Sequence, residues 1–296
     1  MPNQSQARRQ FFRNAAGGLL ALAGTCGWEA KLRANPLGLP IGTQLGWLRQ
    51  DCAADLDGTL QKLADFGYGE VEAFQPFFNK TPKEFRRILD THGLKCPSAH
   101  WFYKPSDPNW PKQVEEAKQM GLHYIVMLNS VEAGAMKSLD DCKRAAEDLN
   151  KLGEKCQAVG IKLAIHNHNR EFRSFDDAIV YDVLLKRTQP ELVSFELDCM
   201  WCKFAGKDPV EYLKRYPGRF SLLHIKDMKP DFGPSTDKVV GQPFTEVGQG
   251  VLDWKPIFAA APRAGVKHYF VEQDRCDRPP LDSARMSCDY LKALKV

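Results

Sequence analysis

The chain has 296 residues, 43% of them hydrophobic and 26% charged, with a formal net charge of +4. That is enough to bury a large core, as one α/β barrel or as two ordinary domains. The positive excess is too small to argue for a nucleic-acid partner. Part of it lies in the first 33 residues, where Arg8, Arg9, Arg13, Lys31 and Arg33 face only Glu29.

The segment Arg8-Arg9-Gln10-Phe11-Phe12-Arg13 resembles the twin-arginine export motif, and the apolar stretch from Ala15 to Thr25 that follows is too short to span a bilayer. We expect residues 1–35 to be an export signal and residues 36–296 the mature domain, delivered to the periplasm or secreted without stable membrane insertion. Of nine cysteines, removal of Cys26 leaves eight, and their scatter shows no disulfide framework. Cys199-Met200-Trp201-Cys202 has CxxC spacing but no second such pair, which favours packing near a strand end over a redox or zinc role.

In chain order, Pro40–Leu45 reads as a first strand, Leu56–Phe66 as a helix ended by Gly67, and Glu70–Phe74 as a second strand. A helix over Pro82–Thr91 with Thr81 as N-cap leads to a strand over Lys95–His100, with His100-Trp101 at its exit. Trp110–Met120 reads as helix and Tyr124–Asn129 as strand, and Leu139–Val159 forms a long helix between Ser138 and Gly160. Then come a strand over Lys162–Asn167, helix Asp177–Arg187, strand Leu192–Asp198, helix Val210–Tyr216 and strand Ser221–Lys226. Residues Met228–Gly250 are rich in Gly, Pro and polar residues, which marks a functional lid or a disordered loop. Asp253 is placed to cap Trp254–Ala264, Lys267–Gln273 is the last strand, and Ser283–Leu294 closes the chain.

The fifth of these strands opens the stretch that organises the rest. Ile161, Leu163 and Ile165 alternate, and His166, Asn167, His168 and Glu171 arrive where the apolar run stops. Two imidazoles and a carboxylate there suit a metal or proton-transfer site better than core. The same arrangement recurs where later apolar runs end in Asp198, His224 and Glu272. Eight strands alternating with helices, with no GxGxxG after the first and no GxxxxGK[ST], favour a single (β/α)₈ TIM barrel. In a barrel the C-terminal strand ends converge, so His166, Asp198, His224 and Glu272 would meet.

The segments LAIHNHNREF, FELDCMWCKFAGKDPVEYLKRYPGRFSLLHIKDM, TEVGQGVLDW and YFVEQD resemble the sugar phosphate isomerase/epimerase group of xylose isomerase-like barrels. The resemblance runs from Pro40 to the C-terminus. It implies a divalent metal, often manganese, held by Glu, Asp, His and Glu at successive strand ends, onto which Asp198, His224 and Glu272 map. His166 stands where the group usually has a glutamate that also moves a proton, and the inosose dehydratase branch is similar in its His-rich segment. His168 or Glu171 are alternatives as ligand, proton carrier or substrate contact. A shell of two His and two carboxylates suits Mn²⁺, Fe²⁺, Co²⁺ or Zn²⁺ rather than Ca²⁺, with Mg²⁺ also open.

Strand alternation puts Lys226 on the side of His224, to stabilise an enolate or to pair with Asp227 or Glu196. Trp201, His100 and Trp101 are candidates for sugar-stacking walls or for core, and Glu246 and Arg275 lie beside the expected mouth. The function these readings imply is a metal-dependent isomerase or epimerase acting on a keto-sugar through an enediolate, with Glu272 as base and His168 and Lys226 assisting. The alternative is a lyase, dehydratase or hydratase of a 3-keto-glycoside or keto-cyclitol, since the first half of the chemistry is shared. An endonuclease IV-like nuclease would need more metal ligands and a basic face, and a non-catalytic sugar-binding protein would not need Asp198, His224 and Glu272. A homo-oligomer is left open.

Overall fold

The structure is a computed structural model that describes residues 35–102, 108–128, 136–237 and 239–296. The expected export segment with Arg8 and Arg9, Cys26, and the strand end at Asn129 lie outside the described residues. Eight parallel strands close into a barrel: β1 (Gly42–Gln44), β2 (Glu70–Phe74), β3 (Lys95–Phe102), β4 (Tyr124–Leu128), β5 (Lys162–His166), β6 (Val193–Asp198), β7 (Phe220–Ile225) and β8 (His268–Val271). The order around it is that of the chain, with β8 paired to β1 through Gly42↔Phe270 and Thr43↔Val271.

Outside the strands lie α1 (Arg49–Ala54), α2 (Leu56–Phe66), α3 (Pro82–Thr91), α4 (Trp110–Met120), α5 (Leu139–Gln157), α6 (Val180–Arg187), α7 (Cys199–Phe204), α8 (Pro209–Arg215), α9 (Trp254–Ala264) and α10 (Pro280–Ala293). Their starts follow local chemistry. Thr81 and Glu84 form a capping box on α3, and the Ser138 hydroxyl accepts from Asp141 N on α5. Gly67 ends α2 at a φ of 106°, a conformation that favours glycine.

Two cores result from strand alternation. Outward residues such as Leu163, Ile165, Leu223 and Tyr269 join the helices in the main core. Inward residues Val126, Ala164, Leu222 and Phe270 form a separate apolar plug inside the barrel. Gly42 makes room for that plug, because a Cβ there would collide with the Phe270 ring. Two residues beyond the plug, on the same face of each strand, stand His166, His224 and Glu272. The parity that buries the plug therefore stacks polar side chains above it.

Several boundaries differ from the sequence reading. The expected helix start at Asp177 is instead the tip of a small hairpin that pairs Ser174–Phe175 with Ala178–Ile179. Asp176 and Asp177 take φ values of 47° and 61° there, so α6 begins only at Val180. α1 and α7 are short helices without a long periodic pattern, and neither was expected. Asp253 precedes α9 but makes no side-chain capping hydrogen bond. Cys199 and Cys202 sit on α7, buried and unpaired, and burial pushes both thiols well up, which fits the packing reading. Among the described residues no helix is long and apolar enough to cross a membrane.

The segment expected to be a lid or a disordered loop is tied down at both ends. Asp227–Met228 pairs antiparallel with Phe244–Thr245, and Asn169 Nδ2 donates to the Ser235 and Asp237 carbonyls at 3.1 and 2.7 Å. Glu246 fastens the far end to α10, accepting from Ser283 Oγ at 2.7 Å and pairing with Arg278 Nε at 2.9 Å. Burial would raise this carboxyl, but the Ser283 hydroxyl and Arg278 help hold it below the usual range.

A group with a lowered folded pKa stabilises above its unfolded pKa, about 4.3 for Glu, and that contribution disappears as pH falls through the folded value. Glu246→Gln should therefore lower stability at pH 7 by about 1 kcal/mol, with the difference shrinking below about pH 4.3. Urea unfolding at both pH values checks it, and an equal deficit at both would refute the assignment.

Candidate metal and proton-transfer site

At the C-terminal end of the barrel, β6, β7 and β8 deliver Asp198, His224 and Glu272 to one point. The three offer ligand atoms that lie within 4.8 Å of one another. His224 Nδ1 is 3.1 Å from Glu272 Oε2 and 3.9 Å from Asp198 Oδ2. Asp198 also caps α7, its Oδ1 accepting from Trp201 N at 2.8 Å. That bond turns the other oxygen, Oδ2, into the site, where it is buried beside Lys226 Nζ at 3.1 Å. Asn167 fixes the backbone at this point, with Oδ1 accepting from Asp198 N at 3.0 Å.

Lys226, fully buried, brings a permanent cation. Its Nζ is 2.5 Å from Glu272 Oε2, 2.6 Å from Asp274 Oδ2 and 3.1 Å from Asp198 Oδ2, under the Trp201 and Phe244 rings at 5.4 and 5.8 Å. The partners anticipated for it were Asp227 or Glu196. Asp227 instead turns away to accept from loop backbone, and Glu196 lies deeper, among histidines. Burial alone would lower the lysine, but Asp198, Asp274 and Glu272 raise it well above its usual range. Glu272 is the converse: burial would raise it, while Lys226 and His224 hold it well below the carboxylate range.

A second group adjoins the first and reaches two residues deeper on β6, at Glu196. Glu196 Oε2 is 2.9 Å from His100 Nε2, 2.9 Å from His166 Nδ1 and 3.2 Å from His224 Nε2. Glu72 Oε2 is 2.8 Å from His100 Nε2 and 2.7 Å from His224 Nε2, while Glu72 Oε1 accepts from Ser98 Oγ at 2.6 Å. Burial would lower His100, but Glu72 and Glu196 hold it up at about 9. Glu196 is pushed up to about 7 by burial and by the neighbouring Glu72. Glu72 and Glu196 were not expected as ligands, Glu196 being named only as a partner for Lys226, although each repeats the parity of a residue that was. Glu196 is two before Asp198, and Glu72 sits in EVEAF, where an inward face could have been read.

The structure brings Asp198, His224, Glu272 and Lys226 together as expected and moves His166 out of that set. His166 is in register with Glu196 on the neighbouring strand, and its Nδ1 turns onto that carboxylate. His168 lies at the edge, its ring 5.7 Å from Trp201, and burial with Lys226 nearby holds it at about 4, a neutral imidazole at pH 7. Glu171 joins neither ligand group. It accepts from His168 N at 2.8 Å, and burial pushes it up to about 7. Trp201 walls the site, with a buried indole N–H that has no partner. Trp101 does not: one residue past His100, it faces outward and packs on Phe77 at 5.8 Å in the helix layer. Arg275 lines a rim cavity with Trp47, Arg49 and Asp274, away from the ligand atoms.

The donor chemistry fits a divalent cation. Carboxylate and imidazole atoms converge, the buried oxygen Glu196 Oε1 lacks any hydrogen-bond partner, and positive charge is drawn onto His100, His224 and Lys226.

Known proteins agree with this architecture. The chain is 26% identical to an inosose dehydratase of Lacticaseibacillus casei, over 84% of this chain and 94% of that one. A sugar phosphate isomerase/epimerase of Parabacteroides distasonis superposes with a TM-score of 0.72 at 27% identity, covering 86% of this chain and 94% of the other. The IOLI protein, solved with a binding zinc atom, shares the fold at a TM-score of 0.65 and 17% identity, covering 86% and 95%. Residues 60–294 match the family described as xylose isomerase-like TIM barrel, and with its closed eight-stranded barrel the chain belongs to that family.

Proposed function

We propose that this protein is a divalent-metal-dependent carbon–oxygen lyase that removes water or an alcohol from a keto-cyclitol or a 3-keto-glycoside. The observation that carries this reading is exposure within the trio. The side chain of Glu272 is 15% exposed, whereas those of His224 and Asp198 are 0% exposed. One carboxylate of the trio thus meets the mouth. Epimerisation requires proton carriers on both faces of an enolate, and elimination requires one. His166, which would stand in for the second carrier, directs its Nδ1 at Glu196. The inosose dehydratase name of the curated relatives supports the same class of chemistry.

Asp198, His224 and Glu272 would hold the ion, for which manganese is our expectation, with cobalt, zinc, iron and magnesium as the alternatives to test. When bound, it polarises the ketone and acidifies the neighbouring C–H. Glu272, held ionised, takes that proton. The Lys226 ammonium balances the charge that develops on the ketone oxygen. The C–O bond at the β-carbon then breaks, its electron pair leaves with the oxygen, and Glu272 returns the proton to that oxygen. The products are an unsaturated ketone and water or an alcohol, and the carboxylate is regenerated. Trp201 presents its unpartnered N–H and an apolar face beside this point, suited to one hydroxyl and one face of a sugar ring.

The test is to incubate metal-loaded protein with 2-keto-myo-inositol and with a 3-keto-glucoside, following ultraviolet absorbance and product mass. Formation of an unsaturated ketone is expected. Interconversion of epimers without loss of water or aglycone would overturn the lyase reading and assign His168 as second proton carrier.

A further inference from the structure

We propose that the barrel holds a second divalent metal ion, deeper than the first, in the nest of His100 Nε2, His166 Nδ1, Glu196 Oε2 and His224 Nε2, with Glu72 Oε2 closing the shell. These four residues offer ligand atoms within 4.8 Å of one another, on strands β3, β5, β6 and β7. The site shares only His224 with the trio assigned above. His224 presents Nδ1 to Glu272 and Nε2 to Glu72 and Glu196, so its ring stands between the two positions and would bridge two ions as the imidazolate, with its ring proton released to solvent.

Spacing is the first argument. The contacts of Glu196 Oε2 and Glu72 Oε2 with the three imidazole nitrogens run from 2.7 to 3.2 Å. Ligands about 2.05 Å from a transition metal and at right angles lie about 2.9 Å apart. The nest thus has the edges of a compact coordination shell.

Hydrogen-bond supply is the second. Glu196 Oε2 is hydrogen-bonded to His100 Nε2 and His166 Nδ1, and His224 Nε2 to Glu72 Oε2, while Glu196 Oε1, equally buried, has no partner. As a purely hydrogen-bonded cluster, this leaves one buried carboxylate oxygen stranded. A metal ion removes the conflict, since imidazole lone pairs and both oxygens can then point at one cation. The outer contact of Glu72 suits ligation too, its Oε1 accepting from Ser98 Oγ at 2.6 Å.

The experiment is metal stoichiometry and copper resonance on the full chain. Protein stripped of metal and titrated with Mn²⁺, Co²⁺ or Zn²⁺ should saturate at two ions per chain. His100→Leu and, separately, Glu196→Gln should each saturate at one, with near-ultraviolet circular dichroism matching the parent. Cu²⁺ in the parent should show hyperfine splitting from several imidazole nitrogens, reduced in His100→Leu. Glu272→Gln should keep this copper signal, which separates the inner site from the lyase reading. Saturation of the parent at one ion, or retention of two ions by a folded Glu196→Gln protein, would overturn the proposal.

Discussion

Glu272→Gln should lower kcat for elimination by about 10²- to 10⁴-fold, the range expected when a positioned general base is removed. Glutamine preserves the shape of the side chain but cannot accept the substrate proton. The charge around it is asymmetric enough to make the change specific. Lys226 keeps Asp198 and Asp274 as partners at 3.1 and 2.6 Å, so the ammonium is not stranded when Glu272 is neutralised. Because Glu272 is also a candidate ligand, the assay belongs at saturating metal with metal content measured in parallel. His168→Asn provides the contrast: with Glu272 as sole carrier its loss should cost less than about tenfold. Glu272→Gln activity within tenfold of the parent, or a larger loss in His168→Asn, would move the base away from Glu272.

Much of the barrel was legible because its strands and helices have different periods. Glu70–Phe74, Pro82–Thr91 and Trp110–Met120 are bounded in the structure as the residues suggest. Asp198, His224 and Glu272 were legible as candidate ligands for a related reason, since each ends an apolar run and a barrel gathers run ends, while Lys226 followed from strand alternation with His224. What could not be read is which neighbour each side chain chooses. His166 looked like a ligand beside Asp198, yet register with Glu196 on the adjacent strand decides its partner, and register is a tertiary property. Glu72 and Glu196 were not read as ligands because an acidic residue within a strand looks like a solvent face until closure of the barrel turns that face inward. Trp101 failed for the opposite reason, as an aromatic beside a candidate histidine is one residue out of phase with it.

Asp227→Ala should be the most destabilising single change in the loop that covers the site, at about 3–5 kcal/mol in urea unfolding. Asp227 is fully buried, and its two oxygens take four hydrogen bonds. Oδ1 accepts from Met228 N at 2.8 Å and Leu252 N at 3.2 Å, and Oδ2 from Gly248 N and Trp254 Nε1, both at 2.9 Å. Alanine would leave three backbone N–H groups and an indole N–H without acceptors in a space closed to water, a cost larger than that of one lost bond. Water cannot enter cheaply, because the loop is packed hard against the carboxylate: a Cβ on Gly250 would collide with Asp227 and with the Met228 carbonyl. Asn should be intermediate, since its amide retains one accepting oxygen but turns two donors toward the remaining N–H groups. The same anchor positions Phe244, whose strand pairs with Asp227–Met228 and whose ring lies 5.8 Å from Lys226 and 5.5 Å from Trp201. Asp227→Asn should therefore raise KM for the keto-sugar at temperatures where the protein is still folded. A deficit under about 1 kcal/mol in Asp227→Ala would mean that the loop is held elsewhere, by Glu246 on α10 or by Asn169 on the Ser235 and Asp237 carbonyls.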